Sequence, residues 1–170
     1  VGDYVTITAY GHTGLLYGGV SATQILYSDP WHMSIPKGIA RDYPMYSIRG
    51  GMIDVARAYV PMEYLQEITR YMAWFKLNEI HVHINDRGEN NYAAFRLESD
   101  IPNLTSEDGY YTKDEYRAYQ EDALKYGIKV VTEFDTPGHS DCFADVPGIK
   151  MLDSSHIDIT DPGSVEVIKS

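Results

Sequence analysis

Cysteine is almost absent from this chain of 170 residues, and Cys142 stands alone. An intramolecular disulfide and a cysteine-rich zinc site are therefore excluded, and the thiol reads as a small, partly buried side chain. Basic residues are scarce as well. The 14 Lys and Arg against 25 Asp and Glu leave a formal net charge of −11. That balance argues against a nucleic-acid surface, which needs clustered Lys and Arg, and suits a neutral or cationic ligand. No apolar run is long enough to cross a membrane as a helix. Val1-Gly2-Asp3 is not a basic start and no apolar run follows it, so no signal peptide is visible. A Gly-x-Gly-x-x-Gly turn after the first strand is also missing, which leaves a dinucleotide fold unsupported. There is no internal repeat.

Aromatic residues are plentiful, with 15 Tyr beside Trp31 and Trp74. Such rings stack on sugars, but each is more simply explained by packing. Along the chain, Tyr4 to Ala9 alternates like a strand and Gly18 to Tyr27 reads as a short helix. Residues 1–27 are read as the end of a small α/β domain. Residues 28–45, with Pro30, Pro36, Gly38 and Pro44, are read as a linker. From residue 46 to 170 the pattern becomes regular. Ile48 to Val55 predicts a strand weakened by Gly50 and Gly51. Pro61 opens a helix in which Leu65, Ile68, Met72 and Phe75 recur at helical spacing. Asn78 to Asn85 alternates as a second strand, with Ile80, Val82 and Ile84 on one face and His81 and His83 on the other. A long connection, Asp86 to Tyr111, then leads to a helix with Thr112 and Glu115 as a capping box. Tyr116, Tyr119, Ala123 and Tyr126 mark the buried face of that helix, and Gly127 ends it. Ile128 to Phe134 predicts a third strand. Residues 140–160 read as loop, and Asp161-Pro162 opens a last helix.

The order β-α-β-α-β-(α) predicts parallel strands joined by right-handed crossovers. The length is short for a complete eight-fold barrel, which takes about 250 residues. The expectation is the N-terminal part of a (β/α)8 TIM barrel, about three to four β/α units. The rest of the barrel, or another chain, is then needed to cover the exposed sheet edges.

Residues at the carboxyl ends of barrel strands share one pocket. By that rule Asp54 and Arg57, then His83, Asn85 and Asp86, then Glu133, Asp135 and His139 are gathered, with Arg49 at the beginning of the first strand. Such groups can bind a polar uncharged ring. They can equally satisfy one another as a buried network, and spacing alone does not separate the two. A metal site using His81, His83 and Asp135 or His139 is open too. The adjacent pair Asp114-Glu115 imitates a glycosidase carboxylate pair, but helix capping and the helix dipole explain it. His12, His32 and His156 read as surface residues.

Four stretches carry a resemblance. Arg49-Gly50-Gly51-Met52-Ile53-Asp54-Val55-Ala56-Arg57 resembles the opening strand of glycoside hydrolase family 20, the β-N-acetylhexosaminidases. Lys76 to Asp86 resembles that family's Lys-Leu-Asn…His-Trp-His-Leu-Thr-Asp. Tyr110-Tyr111-Thr112 is similar to its Tyr-Tyr-Thr helix start. Glu133-Phe134-Asp135-Thr136-Pro137-Gly138-His139 is similar to its Glu-Ile-Asp-Met-Pro-Gly-His. The resemblance implies removal of terminal N-acetylhexosamine from glycans, with no cofactor. The sugar's own acetamido oxygen attacks the anomeric carbon and a Glu serves as acid, then base. It implies that Arg49 binds ring hydroxyls and that Asp86 and His139 support the catalytic Glu.

The family's Asp-Glu pair follows a Gly-Gly on the fourth strand, after Ser170, so residues 1–170 alone are expected to be inactive. The segment Asn85 to Asn91 lacks the family's Trp, which keeps lacto-N-biosidase-type release of a disaccharide open. A metal-dependent barrel hydrolase using His81 and His83 stays open, and so does a non-catalytic carbohydrate-binding relic. Secretion or cell-surface display is a family expectation.

Overall fold

The computed structural model describes residues 4–88 and 92–170. Three strands, β1 (Gly50–Asp54), β2 (Glu79–His83) and β5 (Lys129–Glu133), form one parallel sheet in that order. Helix α2 (Met62–Trp74) connects β1 to β2, and α3 (Lys113–Lys125) precedes β5. Helix α1 (His12–Ser28) comes before the sheet, and α4 (Pro162–Lys169) follows it. The register sets Asp54 beside His83 and His83 beside Glu133. The last residues of all three strands thus form one row, because parallel strands in this register end level.

Alternation gives the sheet two different faces. Ile80 and Val82 are fully buried on the helix side, together with Leu65 and Met72 of α2 and Tyr116, Tyr119 and Ala123 of α3. Thr132 faces the same way and meets the Tyr116 hydroxyl at 2.9 Å. On the other face, Met52 is exposed and level with His81. Gly50 has a steric role in this sheet: a Cβ there would lie 2.3 Å from the Glu79 carbonyl oxygen. The residue that weakens a strand by propensity is the one that lets β1 close on β2.

The helix ends follow their sequence signals. Thr112 accepts the Glu115 N–H at 3.1 Å, Gly127 takes φ +73° just past α3, and Asp161 accepts the Ser164 N–H at 2.9 Å ahead of α4. Phe75 is a departure. It lies beyond α2 and is exposed, and the buried stripe of that helix is instead Met62, Leu65, Thr69 and Met72. Thr69 is accepted there because its hydroxyl donates to the Leu65 carbonyl and meets the Tyr119 hydroxyl at 2.9 Å.

Three expectations are corrected. Tyr4 to Ala9 forms no strand: it is exposed, with no ladder partner among the described residues. The helix expected over Gly18 to Tyr27 begins earlier, at His12, and runs to Ser28. The chain after β2 is not a plain loop. Ile84 donates to the Glu133 carbonyl and accepts from the Arg96 N–H, so the backbone leaves the parallel sheet at that residue. Asn85–Arg87 (β3) then pairs antiparallel with Ala93–Phe95 (β4). Residues 89–91, where part of the departure from the family loop falls, lie outside the described residues.

Candidate active site

The row Asp54, His83, Glu133 marks the carboxyl edge of the sheet, and two segments bring further groups to it. Hairpin β3–β4 carries Asp86. The turn after β5 carries Asp135 and His139. Asn85 locks these segments together: its side-chain amide donates to the Asp135 and His139 carbonyls at 3.0 and 2.9 Å and accepts the Asp135 N–H at 2.8 Å. The Ser140 hydroxyl also donates to the Asp135 carbonyl at 3.1 Å. His139 adopts φ +52°, a left-handed conformation that a non-glycine residue holds only against some strain. The turn therefore aims this one side chain.

Asp86 is the centre of the cluster. Its Oδ2 lies 2.8 Å from His139 Nδ1 and 3.1 Å from His83 Nε2, and it is also paired with the Arg57 guanidinium. Its Oδ1 accepts the Arg87 N–H at 2.7 Å. Burial opposes ionisation of this carboxyl. The Arg87 N–H, His83 and His139 outweigh that opposition and hold it below the ordinary range. The His83 and His139 rings meet edge to face at 5.9 Å. His139 is half exposed, whereas His83 is buried. With Nδ1 engaged by Asp86, the His139 Nε2 is the atom able to reach outward.

A second layer lies on the β5 side. His83 Nδ1 is 3.2 Å from Glu133, and His81 Nε2 is 2.7 Å from the same carboxylate oxygen. Burial raises both Glu133 and Asp135, but their outcomes diverge. Glu133 is drawn below its ordinary range by Asp135, His83 and His81, while Asp135 is pushed up further by Glu133. The pair behaves as two adjacent carboxyls in which Asp135 keeps the proton longer. His83, Glu133 and Asp135 can each offer a ligand atom, all within 4.8 Å of one another. Among the described residues these three are the group that could hold a metal ion; His81, expected among the ligands, pairs with Glu133 instead.

Arg49 is the site residue that the fold does not bring here. It precedes β1 at the opposite end of the sheet, about 16 Å from the carboxyl row at the usual rise per residue. Its guanidinium donates to the Lys76 and Tyr46 carbonyls at 2.9 and 2.7 Å and to the Tyr17 hydroxyl at 3.0 Å. Arg57 takes the place at the mouth. It lies three residues past Asp54, whose Oδ1 accepts the Ala56 and Arg57 N–H groups at 3.0 Å each. Its guanidinium bridges Asp54 and Asp86. The signal for Arg57 was its position after a strand's carboxyl end, the rule that also collected Asp86 and His139.

The remaining sequence candidates fall as expected. Asp114 and Glu115 are exposed in the first turn of α3. His12, His32 and His156 are exposed as well. Cys142 is buried, and burial pushes its thiol up to about 12.

The family model of the glycosyl hydrolase family 20 catalytic domain matches residues 46–160. The chain belongs to glycosyl hydrolase family 20. It is 33% identical over 133 residues to the β-hexosaminidase subunit beta of Homo sapiens, covering 75% of this chain and 23% of that one. It is 29% identical over 158 residues to a β-hexosaminidase of Vibrio furnissii, covering 80% and 25%. A crystal structure of a β-N-acetylhexosaminidase superposes with a TM-score of 0.75 at 25% identity, covering 94% of this chain and 39% of that one. The chain thus spans about a quarter of the length of these two curated relatives. Its parallel sheet is the beginning of a family 20 TIM barrel, and the family match takes in every residue of the cluster described above.

Proposed function

We propose that these residues are the opening β/α units of a glycoside hydrolase that removes terminal N-acetylhexosamine from glycans by substrate-assisted retention. One observation carries the reading: a buried carboxylate, Asp86, holds His139 at the mouth of a family 20 sheet with the imidazole half exposed. Asp86 orients the ring through Nδ1, and Nε2 supports the general acid/base Glu contributed by the remainder of the barrel. Arg57, and not Arg49, grips the sugar hydroxyls, because its planar fork lies beside Asp86 with half its surface open. Residues 46–170 form the barrel portion. Residues 1–27 close a preceding α/β domain and 28–45 link the two. The edge strands β1 and β5 and the exposed Met52 and Phe134 are covered by the rest of the barrel. The enzyme works outside the cell or at its surface.

The test uses the full-length protein that contains these residues, assayed on an aryl N-acetylglucosaminide and an aryl lacto-N-bioside. His139→Ala should lower kcat about 100-fold with the fold retained, and Arg57→Ala should raise KM as well. Preference for the second substrate identifies disaccharide release. Wild-type turnover by His139→Ala would refute the supporting role. Hydrolysis by residues 1–170 alone would refute the assignment of the acid/base group to the rest of the barrel.

A further inference from the structure

Arg96 lies on the far side of β1's exit turn from the site and bonds to none of Asp86, His83 or His139, yet its side chain is only 2% exposed. Burying a guanidinium is costly unless each donor is used. Here Nε donates to the Val55 carbonyl at 3.1 Å, and one terminal nitrogen donates to the Ala56 carbonyl at 3.0 Å. The other donates to the Gly109 carbonyl at 2.9 Å and pairs with Asp108. The Tyr59 ring lies 5.7 Å from the charge.

These acceptors define what the charge is for. The turn 54–57 is held from two sides: Asp54 takes its N–H groups, and Arg96 takes its carbonyls. That turn ends in Arg57, whose guanidinium spans Asp54 and Asp86. The backbone is fixed on both its donor and its acceptor side just before the residue that faces the site. We infer that Arg96 is a positioning residue that sets Arg57 on Asp86 through the β1 exit turn. This rests on the reading of Arg57 and Asp86 as site residues. Through Asp108 and Gly109 it also gives the long connection before α3 a task, because that connection holds the guanidinium in place. The Gly109 position suits the role: a Cβ there would meet the Tyr59 ring at 2.7 Å, so the loop lies directly on that ring.

The experiment compares Arg96→Lys and Arg96→Met with Leu104→Ala in the full-length protein that contains these residues. Leu104 is buried in the same connection and makes no bond to the turn, so its truncation controls for loss of stability alone. The readouts are the guanidinium ¹⁵N resonances of Arg57, which need no turnover, and the melting temperature of each variant alone and combined with Arg57→Met. Arg96→Met should move the Arg57 resonances to the values of a free arginine. Arg96→Lys keeps the charge but cannot span two carbonyls, so it should recover melting temperature more than it recovers the resonances. Leu104→Ala should leave them in place. The Arg96 and Arg57 variants should combine less than additively although their side chains share no bond.

Unmoved Arg57 resonances in Arg96→Lys, an equal shift in Leu104→Ala, or full additivity would each overturn the proposal. Should Arg96→Met fail to fold, Arg96→Lys decides by the same criteria. A failed hydrolase assay in the full-length protein bears on the proposed function and leaves this result standing.

Discussion

Replacing Asp86 with Asn keeps the side chain's shape and removes its charge. Three donors converge on Oδ2, namely the Arg57 guanidinium, His83 Nε2 at 3.1 Å and His139 Nδ1 at 2.8 Å. The Arg87 N–H occupies Oδ1 at 2.7 Å. An amide has one acceptor oxygen, so either the three donors or the backbone N–H must face an NH₂ group. Charge-assisted bonds contribute about 1.5–3 kcal/mol each, and breaking a buried pair from one side costs about 3–5 kcal/mol. Arg57 and His139 are half exposed and can turn to water, which places the net cost at the lower end, about 3 kcal/mol. For a domain of this size that lowers Tm by about 6–12 °C.

Urea unfolding of the wild type, Asp86→Asn and Asp86→Ala is the assay, with m-values compared to confirm that the unfolded states match. The two variants should lose similar amounts, because shape is not what the site uses. The carboxyl's folded value is depressed, so its contribution is complete above the ordinary carboxylate value of about 3.9 and is lost as pH falls through the folded one. The difference between wild type and Asp86→Asn should therefore narrow below about pH 4. An Asp86→Asn protein within about 0.5 kcal/mol of wild type at pH 7, or a difference that grows in acid, would refute the reasoning.

Three other outcomes are expected. Asp135→Asn should raise Tm at pH 7, because burial and Glu133 push that carboxyl up and a neutral amide replaces a charge the site resists. The gain should vanish on acidification, when Asp135 is protonated in both states, and a loss at pH 7 would contradict the shared-proton description. Gly50→Ala should cost about 1–3 kcal/mol by overpacking, since its Cβ would lie 2.3 Å from the Glu79 carbonyl; unfolding that matches wild type would show that β1 can retreat freely. Cys142, buried and pushed up to about 12, should react with a disulfide reagent at pH 8 only as fast as the chain opens. Rapid labelling without denaturant would place that thiol at the surface.

Local chemistry was legible wherever one residue type has one main use. Thr112 capping Glu115, Asp161-Pro162 opening α4 and the stripe Tyr116, Tyr119 and Ala123 of α3 depend on neighbours within a few residues, and the structure agrees with each, whereas Tyr126 lies just past α3 and is half-buried. The gathering of Asp86, His83 and His139 was legible too, because strand ends share a mouth in any parallel α/β sheet. Tyr4 to Ala9 was misread for a physical reason. Alternation specifies an extended backbone, but a strand exists only where another chain segment supplies the ladder.

The amino-acid sequence by itself determined the order of the three parallel strands and their helices, the boundaries of α2 and α3 within a few residues, the family and most of the polar groups that could meet, but not the first turns of α1 or the β3–β4 pair. Only the tertiary structure decided which arginine faces the site. Arg49 and Arg57 flank the same strand in one motif; the family resemblance pointed to Arg49 and the strand-end rule to Arg57. Strand direction decides between them, since a parallel sheet sends the residue after β1 to the mouth and leaves the residue before it at the base. The fold also decided where the chain leaves the sheet. Ile84 donates to Glu133 on one side and accepts from Arg96 on the other, a division set by two partners about 50 and 12 residues away. Asp86 owes its position over His83 and beside His139 to that departure.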